Sequence, residues 1–191
     1  MFGKKRISKV QFIALGFLII IIMGTILLML PVSSRDGQAT GFLDALFTAT
    51  SASCVTGLVV VDTYSHWSLF GQIVLICMIQ VGGLGFISLG VVLALMLGRR
   101  VSLRHRGLMQ ESVNTLQIGG IVRLTKKMLI GTMIFEGIGA IILAVRFSFM
   151  MSPARAVFYG IFHSISAFCN AGFDLLGCYG EYNSLCGFEG D

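Results

Sequence analysis

Charged residues and prolines are scarce in this chain. Only 12% of its 191 residues are Asp, Glu, Lys or Arg, only two are proline, and 55% are hydrophobic. This charge content excludes a soluble domain with a large core, because the surface of such a domain needs more charge. The mean hydropathy of +0.89 indicates a membrane protein instead.

Three long stretches lack charge almost completely. They cover residues 10–34, 67–98 and 128–145, and only the third contains a charged residue, Glu136. A helix needs about 20 apolar residues to cross about 30 Å of hydrocarbon, so each stretch is long enough to span a membrane. The first is too long for a cleaved signal peptide, and Pro31 follows it where a small-residue cleavage site would lie.

The basic residues are distributed unevenly, and this predicts the orientation. Eleven of the fourteen lie before the first span or between the second and third: Lys4, Lys5, Arg6, Lys9, Arg99, Arg100, Arg104, Arg106, Arg123, Lys126 and Lys127. The positive-inside rule therefore predicts a multi-pass protein of the cell (cytoplasmic) membrane with its amino terminus in the cytoplasm. No aromatic residues are interleaved with these basic residues, so a nucleic-acid partner is not expected, and the basic connector is predicted to lie on membrane lipid.

One short phrase occurs twice. "FTATSASCVTGL" (47–58) and "FHSISAFCNAGF" (162–173) share five residues at a constant offset of 115. The matched pairs are Phe47 and Phe162, Ser51 and Ser166, Ala52 and Ala167, Cys54 and Cys169, and Gly57 and Gly172. The repetition predicts two equivalent structural units.

Each copy ends a segment that is predicted to be a short helix. The first helix has Thr40 as its candidate N-cap and Asp44 in its first turns, and the second has Ser152 as N-cap and Pro153 at the first helical position. About 12 residues, or about 18 Å, do not cross a membrane. The pattern therefore predicts a half-helix and a glycine loop that return to the same side, buried in protein or lining a watery cavity.

Such a unit suits cation conduction. The inward end of each half-helix carries the negative end of its dipole, and the carbonyl groups of the following loop are able to replace the water shell of a cation. Gly57 and Gly172 would supply backbone conformations that side chains forbid. The alternative is that these glycines only allow close helix packing, but two copies in matching positions favour a filter. We expect residues 53–58 and 169–174 to be extended and to face each other near one axis.

The motifs "TSASCVTGL", "AFCNAGFD" and, in the second span, "QVGGLGF" resemble the Trk/Ktr/HKT superfamily of potassium transporters, closest to bacterial Ktr- or Trk-type membrane subunits. The resemblance implies an all-α membrane protein of repeated span–pore-loop–span units, four to a pore. Two pore loops occur here, and the second unit lacks its final span. The sequence is therefore expected to be the amino-terminal part of a longer protein or a truncated gene product.

The resemblance also implies an organisation and a site. We expect a first repeat at residues 1–98, a basic cytoplasmic connector at 99–127 and an incomplete second repeat at 128–191. The implied selectivity-filter residues are Cys54, Val55, Thr56, Gly57, Cys169, Asn170, Ala171 and Gly172. Glycine at position 57 implies potassium rather than sodium, whereas chemistry alone predicts only a dehydrated monovalent cation.

Several functional expectations follow from the resemblance. It implies potassium uptake without enzymatic activity, with K⁺ as the transported ion and with no cofactor or other metal in this chain. The implied partners are the remaining repeats of the transporter, a second copy in a homodimer and a cytoplasmic nucleotide-binding regulatory subunit. The alternative function is a non-conducting membrane assembly protein whose duplicated loops serve only packing.

Four further features allow more than one interpretation. Glu136 inside a span is either functional or a structural hydrogen-bonding group, and the structural role is expected for Gln80. Cys178 and Cys186 share one loop in which a disulfide is conceivable. The glycines of "QVGGLGF" are predicted to allow close helix approach, since no strand precedes them as a dinucleotide fingerprint requires. A thiol-protease set of His163, Cys169 and Asn170 lacks support, because proximity in sequence is not catalytic geometry.

Overall fold

The computed structural model describes residues 8–85 and 121–180. These residues form six α-helices and contain no β-strand. The helices are α1 (Lys9–Met29), α2 (Phe42–Cys54), α3 (Thr63–His66), α4 (Leu69–Leu84), α5 (Ile121–Ser148) and α6 (Pro153–Phe168). Two short 3-10 turns, Pro31–Ser33 and Leu176–Tyr179, complete the regular structure of the described residues.

Helix α1 begins with a capping box. The Ser8 hydroxyl accepts a hydrogen bond from the Gln11 backbone N–H at 3.2 Å, and the Gln11 side chain accepts one from the Ser8 N–H at 3.0 Å. The helix ends at Met29, shortly before Pro31, because the residue before a proline avoids the helical conformation. Its 21 residues extend about 32 Å, enough to cross a bilayer.

Helices α1 and α5 are both long and apolar enough to span a membrane. Residues Val10–Met29 have a mean hydropathy of 2.9 and Val122–Ser148 one of 2.2. Their large apolar side chains lie mostly on the surface, as at Met23 (58% exposed) and Ile141 (66%). Apolar residues all around a helix are typical of contact with lipid, and this agrees with two of the three predicted spans.

The second predicted span is described only in part. Ser68 caps α4 by accepting a hydrogen bond from the Gly71 N–H at 3.3 Å, and the helix continues to Leu84. Positions 86–98 of that span lie outside the described residues, as does most of the predicted connector. Within the described residues, helix α5 runs from Ile121, so its first residues lie in the predicted connector.

The two predicted short helices are present as α2 and α6. They are about 20 and about 24 Å long, too short to cross a membrane. Ser152 and Pro153 occupy the predicted cap and first position of α6. The prediction for α2 is wrong in one respect, because Gly41 and not Thr40 is the N-cap. The Thr40 hydroxyl is instead hydrogen-bonded to the Nε2 atom of His66, at 3.0 Å, in the segment before α4.

Small residues set the packing of α5 against α6. A Cβ atom added to Gly160 would lie 2.6 Å from the Ala140 carbonyl oxygen and 2.8 Å from the Ala144 nitrogen. Gly139 in turn lies against Ser164, so the two helices run antiparallel. Close backbone contact between small residues is how helices associate where lipid surrounds them, because dispersion forces and hydrogen bonds replace the hydrophobic effect there.

Candidate functional site

The loops that follow α2 and α6 have the same backbone conformation at matched positions. After α2, Val55 has φ 59° and Gly57 has φ 72°. After α6, Asn170 has φ 58° and Gly172 has φ 74°. Both pairs are separated by the offset of 115 residues that relates the two sequence phrases. The two copies of the repeated phrase therefore have the same backbone geometry at these matched positions.

The same hydrogen bond closes both helix ends. The Thr56 N–H donates to the Ser51 carbonyl oxygen at 3.0 Å, and the Ala171 N–H donates to the Ser166 carbonyl oxygen at 2.7 Å. A bond of this span across a left-handed residue is the Schellman type of helix ending. It satisfies one of the last carbonyls of each helix and turns the chain sharply away from the helix axis.

The two loops meet at their glycines. A Cβ atom added to Gly57 would lie 2.6 Å from the Ala171 carbonyl oxygen and 3.3 Å from the Gly172 Cα atom. A Cβ atom added to Gly172 would lie 3.4 Å from the Gly57 Cα atom. Any side chain at Gly57 would meet backbone that cannot move aside, and its positive φ disfavours one as well. The prediction that the loops face each other is confirmed.

The prediction that residues 53–58 and 169–174 are extended is wrong at the start of each segment. Ser53 and Cys54 belong to the last turn of α2, and Cys169 and Asn170 form a turn after α6. The reason is the Schellman-type ending, which keeps the chain helical until the left-handed residue. Of the eight predicted filter residues, Cys54 is thus helical and Cys169 has right-handed helical angles as the C-cap of α6.

Val55 is an unusual residue for its conformation. A β-branched side chain in the left-handed region is a genuine outlier, and such backbone strain costs about 1–3 kcal/mol. Asn170, at the matched position, tolerates the same conformation far better, because its short polar side chain bonds locally. Strain of this kind persists only where surrounding structure holds the residue in place, and it is concentrated at functional sites.

The repeated serines brace the loops from within. The hydroxyls of Ser51 and Thr56 lie 2.8 Å apart and are hydrogen-bonded, while the Ser166 hydroxyl donates to the Phe173 carbonyl oxygen at 2.6 Å. Both serines are almost completely buried. The hydroxyls that prompted the sequence comparison therefore hold the loops in shape.

His163 adds a second brace to the loop after α6. Its Nδ1 atom lies 2.8 Å from the Tyr159 carbonyl oxygen, and its Nε2 atom accepts a hydrogen bond from the Leu175 N–H at 3.2 Å. Both ring nitrogens are engaged with backbone, so His163 serves no thiol-protease function. The sequence comparison missed this brace, because the matched position in the first copy is Thr48 and carries no imidazole.

Helix α4 packs against both loops through adjacent glycines. A Cβ atom on Gly82 would overlap the Ser53 carbonyl oxygen, and one on Gly83 would lie 2.5 Å from the Cys169 sulfur. The predicted role of the "QVGGLGF" glycines in close approach is confirmed for this pair. Ser53 lies in the last turn of α2 and Cys169 is the C-cap of α6, so α4 contacts the carboxyl ends of both short helices.

A polar network links α4 and α5 to the second loop. Gln80 Nε2 donates to both carboxylate oxygens of Glu136, at 3.0 and 2.9 Å. Gln80 Oε1 lies 3.9 Å from the sulfur of Cys169, and the Ser164 hydroxyl donates to the Glu136 carbonyl oxygen at 2.7 Å. Glu136 is only 6% exposed. These bonds support the structural interpretation of Glu136 and the predicted structural role of Gln80.

The second loop also lines a cavity of about 430 Å³, bounded in part by Asn170, Gly172 and Asp174. Within residues 8–85 and 121–180, no group of His, Cys, Asp and Glu side chains is arranged to hold a metal ion. The possible disulfide between Cys178 and Cys186 is not described, because Cys186 lies outside these ranges.

The fold and these loops define a class: an all-helical membrane protein in which two short helices end at facing glycine loops. Residues 6–188 match the protein family described as TrkH, cation transport protein. The chain belongs to this family. The family consists of transporters and not of enzymes.

Individual relatives agree with the family match. The chain is 42% identical over 174 residues to the potassium/sodium uptake protein NtpJ of Enterococcus hirae, covering 91% of this chain and 39% of that protein. It is 43% identical over 170 residues to the Ktr system potassium uptake protein B of Bacillus subtilis, covering 89% of this chain and 38% of that protein. Ktr system potassium uptake protein D of the same organism is 39% identical over 193 residues, covering 100% of this chain and 42% of that protein. The chain thus spans about two fifths of the length of these relatives.

Proposed function

We propose that this chain contributes two of the loops of a carbonyl-lined selectivity filter for potassium uptake. The filter residues are Cys54, Val55, Thr56, Gly57, Cys169, Asn170, Ala171 and Gly172. The observation that carries this proposal is the pair of matched loops, which share positive φ angles and meet at Gly57 and Gly172. The similarity to a potassium/sodium uptake protein and to a Ktr system potassium uptake protein supports potassium as the transported ion.

The physical argument rests on the ends of the two short helices. Each helix carries about half a negative charge at its carboxyl end, which favours a cation beyond it. A dehydrated cation also needs a nearly full set of oxygen ligands to replace its water shell. Two loops supply half of a four-loop ring, so we propose that the other half comes from further repeats of the same transporter.

The proposed organisation has a span–pore-loop–span repeat at residues 1–98, a cytoplasmic connector at 99–127 and a second repeat from 128. The amino terminus is cytoplasmic, and both loops enter from the opposite side of the membrane. The proposed partners are a second copy of the subunit, a cytoplasmic nucleotide-binding regulator and membrane lipid. No cofactor is proposed. Relatives named as parts of a Ktr system support a subunit that works within a complex.

A non-conducting packing role is the second candidate. It is favoured by the internal bonds of the repeated serines and by the contacts of Gly82 and Gly83, since these features only hold the loops together. It gives no reason for strain at Val55, because an unstrained residue would pack equally well. A filter function would account for this strain, because strained backbone is concentrated at functional sites.

The test is Gly57→Ser in the full-length transporter, with Gly37→Ser as its matched control. Both glycines have positive φ, but Gly37 has no atom within 4 Å of an added Cβ. Each variant is produced in a bacterium that lacks potassium uptake, and K⁺ and Na⁺ uptake are measured. We expect Gly57→Ser to reduce selectivity for K⁺ over Na⁺ by about tenfold or more, which corresponds to about 1.4 kcal/mol. Equal selectivity in the two variants would contradict the filter proposal.

A further inference from the structure

A second cavity, of about 390 Å³, lies away from the glycine loops. It is formed where the first turn of α4 and the first two turns of α6 come together, next to Arg35 and Tyr64. None of the eight proposed filter residues lines it. Its position at the amino-terminal ends of α4 and α6 corresponds, in the proposed orientation, to the outer leaflet of the membrane.

Two contacts orient Arg35 at this cavity. Its Nε atom donates to the Trp67 carbonyl oxygen at 3.3 Å, and its guanidinium carbon lies 3.9 Å from the centre of the Tyr64 ring. No acceptor for its terminal nitrogens is found in the described part of the chain. A guanidinium that is stacked and oriented in this way presents its remaining donors as a fixed fork, which matches the geometry of phosphate oxygens.

Arg155 reaches the same cavity from the first turn of α6. A positive charge there is unfavourable, because the amino-terminal end of a helix dipole is itself positive. Ser152 provides no side-chain cap, so the first N–H groups of α6 also lack a partner from it. Among the described residues, no carboxylate lines the cavity to neutralise either arginine. An anion at this position would remove the unfavourable interaction and accept hydrogen bonds from the helix end.

Tyr159 supplies an independent indication of a ligand. It lies one turn after Arg155, lines the cavity and is only 3% exposed, yet its hydroxyl has no hydrogen-bond partner among the described residues. Burial raises the pKa of the neighbouring Cys178 thiol and its interaction with this hydroxyl lowers it, but a thiol is only a weak hydrogen-bonding group. Buried hydroxyls are normally hydrogen-bonded, and no described residue supplies a strong partner for this one.

We propose that this cavity binds the phosphate group of an anionic phospholipid. Arg35 and Arg155 would bind its oxygens, and Tyr159 would donate one further hydrogen bond. The apolar parts of the wall, Leu69 and Phe158, identify a lipid rather than free phosphate, because they offer a path for an acyl chain. The charge distribution agrees: Arg35 and Arg155 are two of only three basic residues outside the cytoplasmic segments of the predicted topology.

The test uses the full-length transporter, purified and stripped of lipid, with phosphatidylglycerol as the probe. Binding is measured by titration against the wild type, Arg35→Gln, Arg155→Gln and Tyr159→Phe. The matched control is Arg146→Gln, which removes a charge on the same side of the membrane but does not line the cavity. We expect each cavity arginine variant to bind about tenfold more weakly, Tyr159→Phe to bind a few-fold more weakly, and the control to bind as the wild type does.

Two further arms distinguish the possible ligands. Phosphatidylcholine is expected to bind more weakly than phosphatidylglycerol, and inorganic phosphate is expected not to displace the lipid. Displacement by inorganic phosphate, or equal binding of the two lipids, would overturn the assignment to an anionic lipid. Unchanged binding in the Arg35→Gln/Arg155→Gln double variant would overturn the site itself.

Potassium uptake by Arg155→Gln tests the filter proposal separately. We expect uptake to continue in this variant, because Arg155 is not one of the proposed filter residues. If a glutamine variant does not fold, Arg155→Lys, which keeps the charge but loses the fork, is expected to bind with intermediate affinity.

Discussion

The loops after α2 and after α6 share a backbone but differ in the side chains that hold it. At matched positions both have a left-handed residue, a Schellman-type bond and a glycine of positive φ. The first loop is braced by two hydroxyls, Ser51 and Thr56, and tolerates strain at Val55. The second is braced by Ser166 and by His163, and carries an unstrained Asn170. The two loops therefore share one backbone conformation, which different side chains hold in place. This indicates that the backbone conformation, and not a particular bracing side chain, is the required feature.

The largest expected effect concerns the number of loops. Produced alone, residues 1–191 contain two loops that leave an ion half coordinated, so we expect no potassium uptake. The measurement is growth of an uptake-deficient bacterium at low potassium, compared with the complete transporter. Growth supported by residues 1–191 alone would contradict the expectation, unless crosslinking at positions next to Gly57 and Gly172 shows that two copies assemble into one pore.

The next effect compares the two glycines of α4. Gly82→Ala places a Cβ atom onto the backbone of Ser53, whereas Gly83→Ala meets the Cys169 side chain, which is able to rotate. We expect Gly82→Ala to destabilise the transporter by about 3 kcal/mol and Gly83→Ala by about 1 kcal/mol. Chemical unfolding in mixed micelles measures both. The reverse order would show that α4 supports the second loop more tightly than the first.

A third comparison uses the position that differs most between the copies. His163→Ala removes the acceptor of the Leu175 N–H, so we expect it to destabilise the folded state by about 2 kcal/mol. Thr48→Ala, at the matched position, removes a buried hydroxyl that has no partner among the described residues. That variant is expected to be within about 0.5 kcal/mol of the wild type in the same assay. Equal losses in the two variants would mean that the histidine brace contributes nothing specific.

The smallest expected effect is an exchange between the loops. Val55→Asn relieves the strain of a β-branched residue in the left-handed region and is expected to stabilise the protein by about 1 kcal/mol. Asn170→Val imposes that strain on the second loop and is expected to cost a similar amount. If neither variant changes the stability, the two sites do not experience the strain that their φ angles indicate. Potassium uptake by Val55→Asn then reports whether the valine side chain itself has a function.

Much of the architecture was predictable from local patterns. Apolar stretches of sufficient length predicted α1 and α5, because the bilayer sets the length of a spanning helix. Ser152 and Pro153 predicted the start of α6, because their chemistry suits the first turn irrespective of the surroundings. Thr40 failed as a cap, because His66, distant in sequence, competes for its hydroxyl. Predictions of this kind succeed where the deciding interaction is local.

For the candidate site too, some features follow from the local sequence and others depend on tertiary packing. The sequence by itself determined that two glycine loops follow two short helices, since the repeated phrase and its offset of 115 residues are visible without coordinates. Only the tertiary structure decided that Gly57 and Gly172 touch, that Gln80 holds Glu136, and that Arg35 and Arg155 share a cavity. The physical reason is that helix ends and turns depend on neighbouring residues, whereas these contacts join residues 56 to 120 positions apart. Such pairs meet only when the helices pack, and the geometry of that packing is not contained in any single segment.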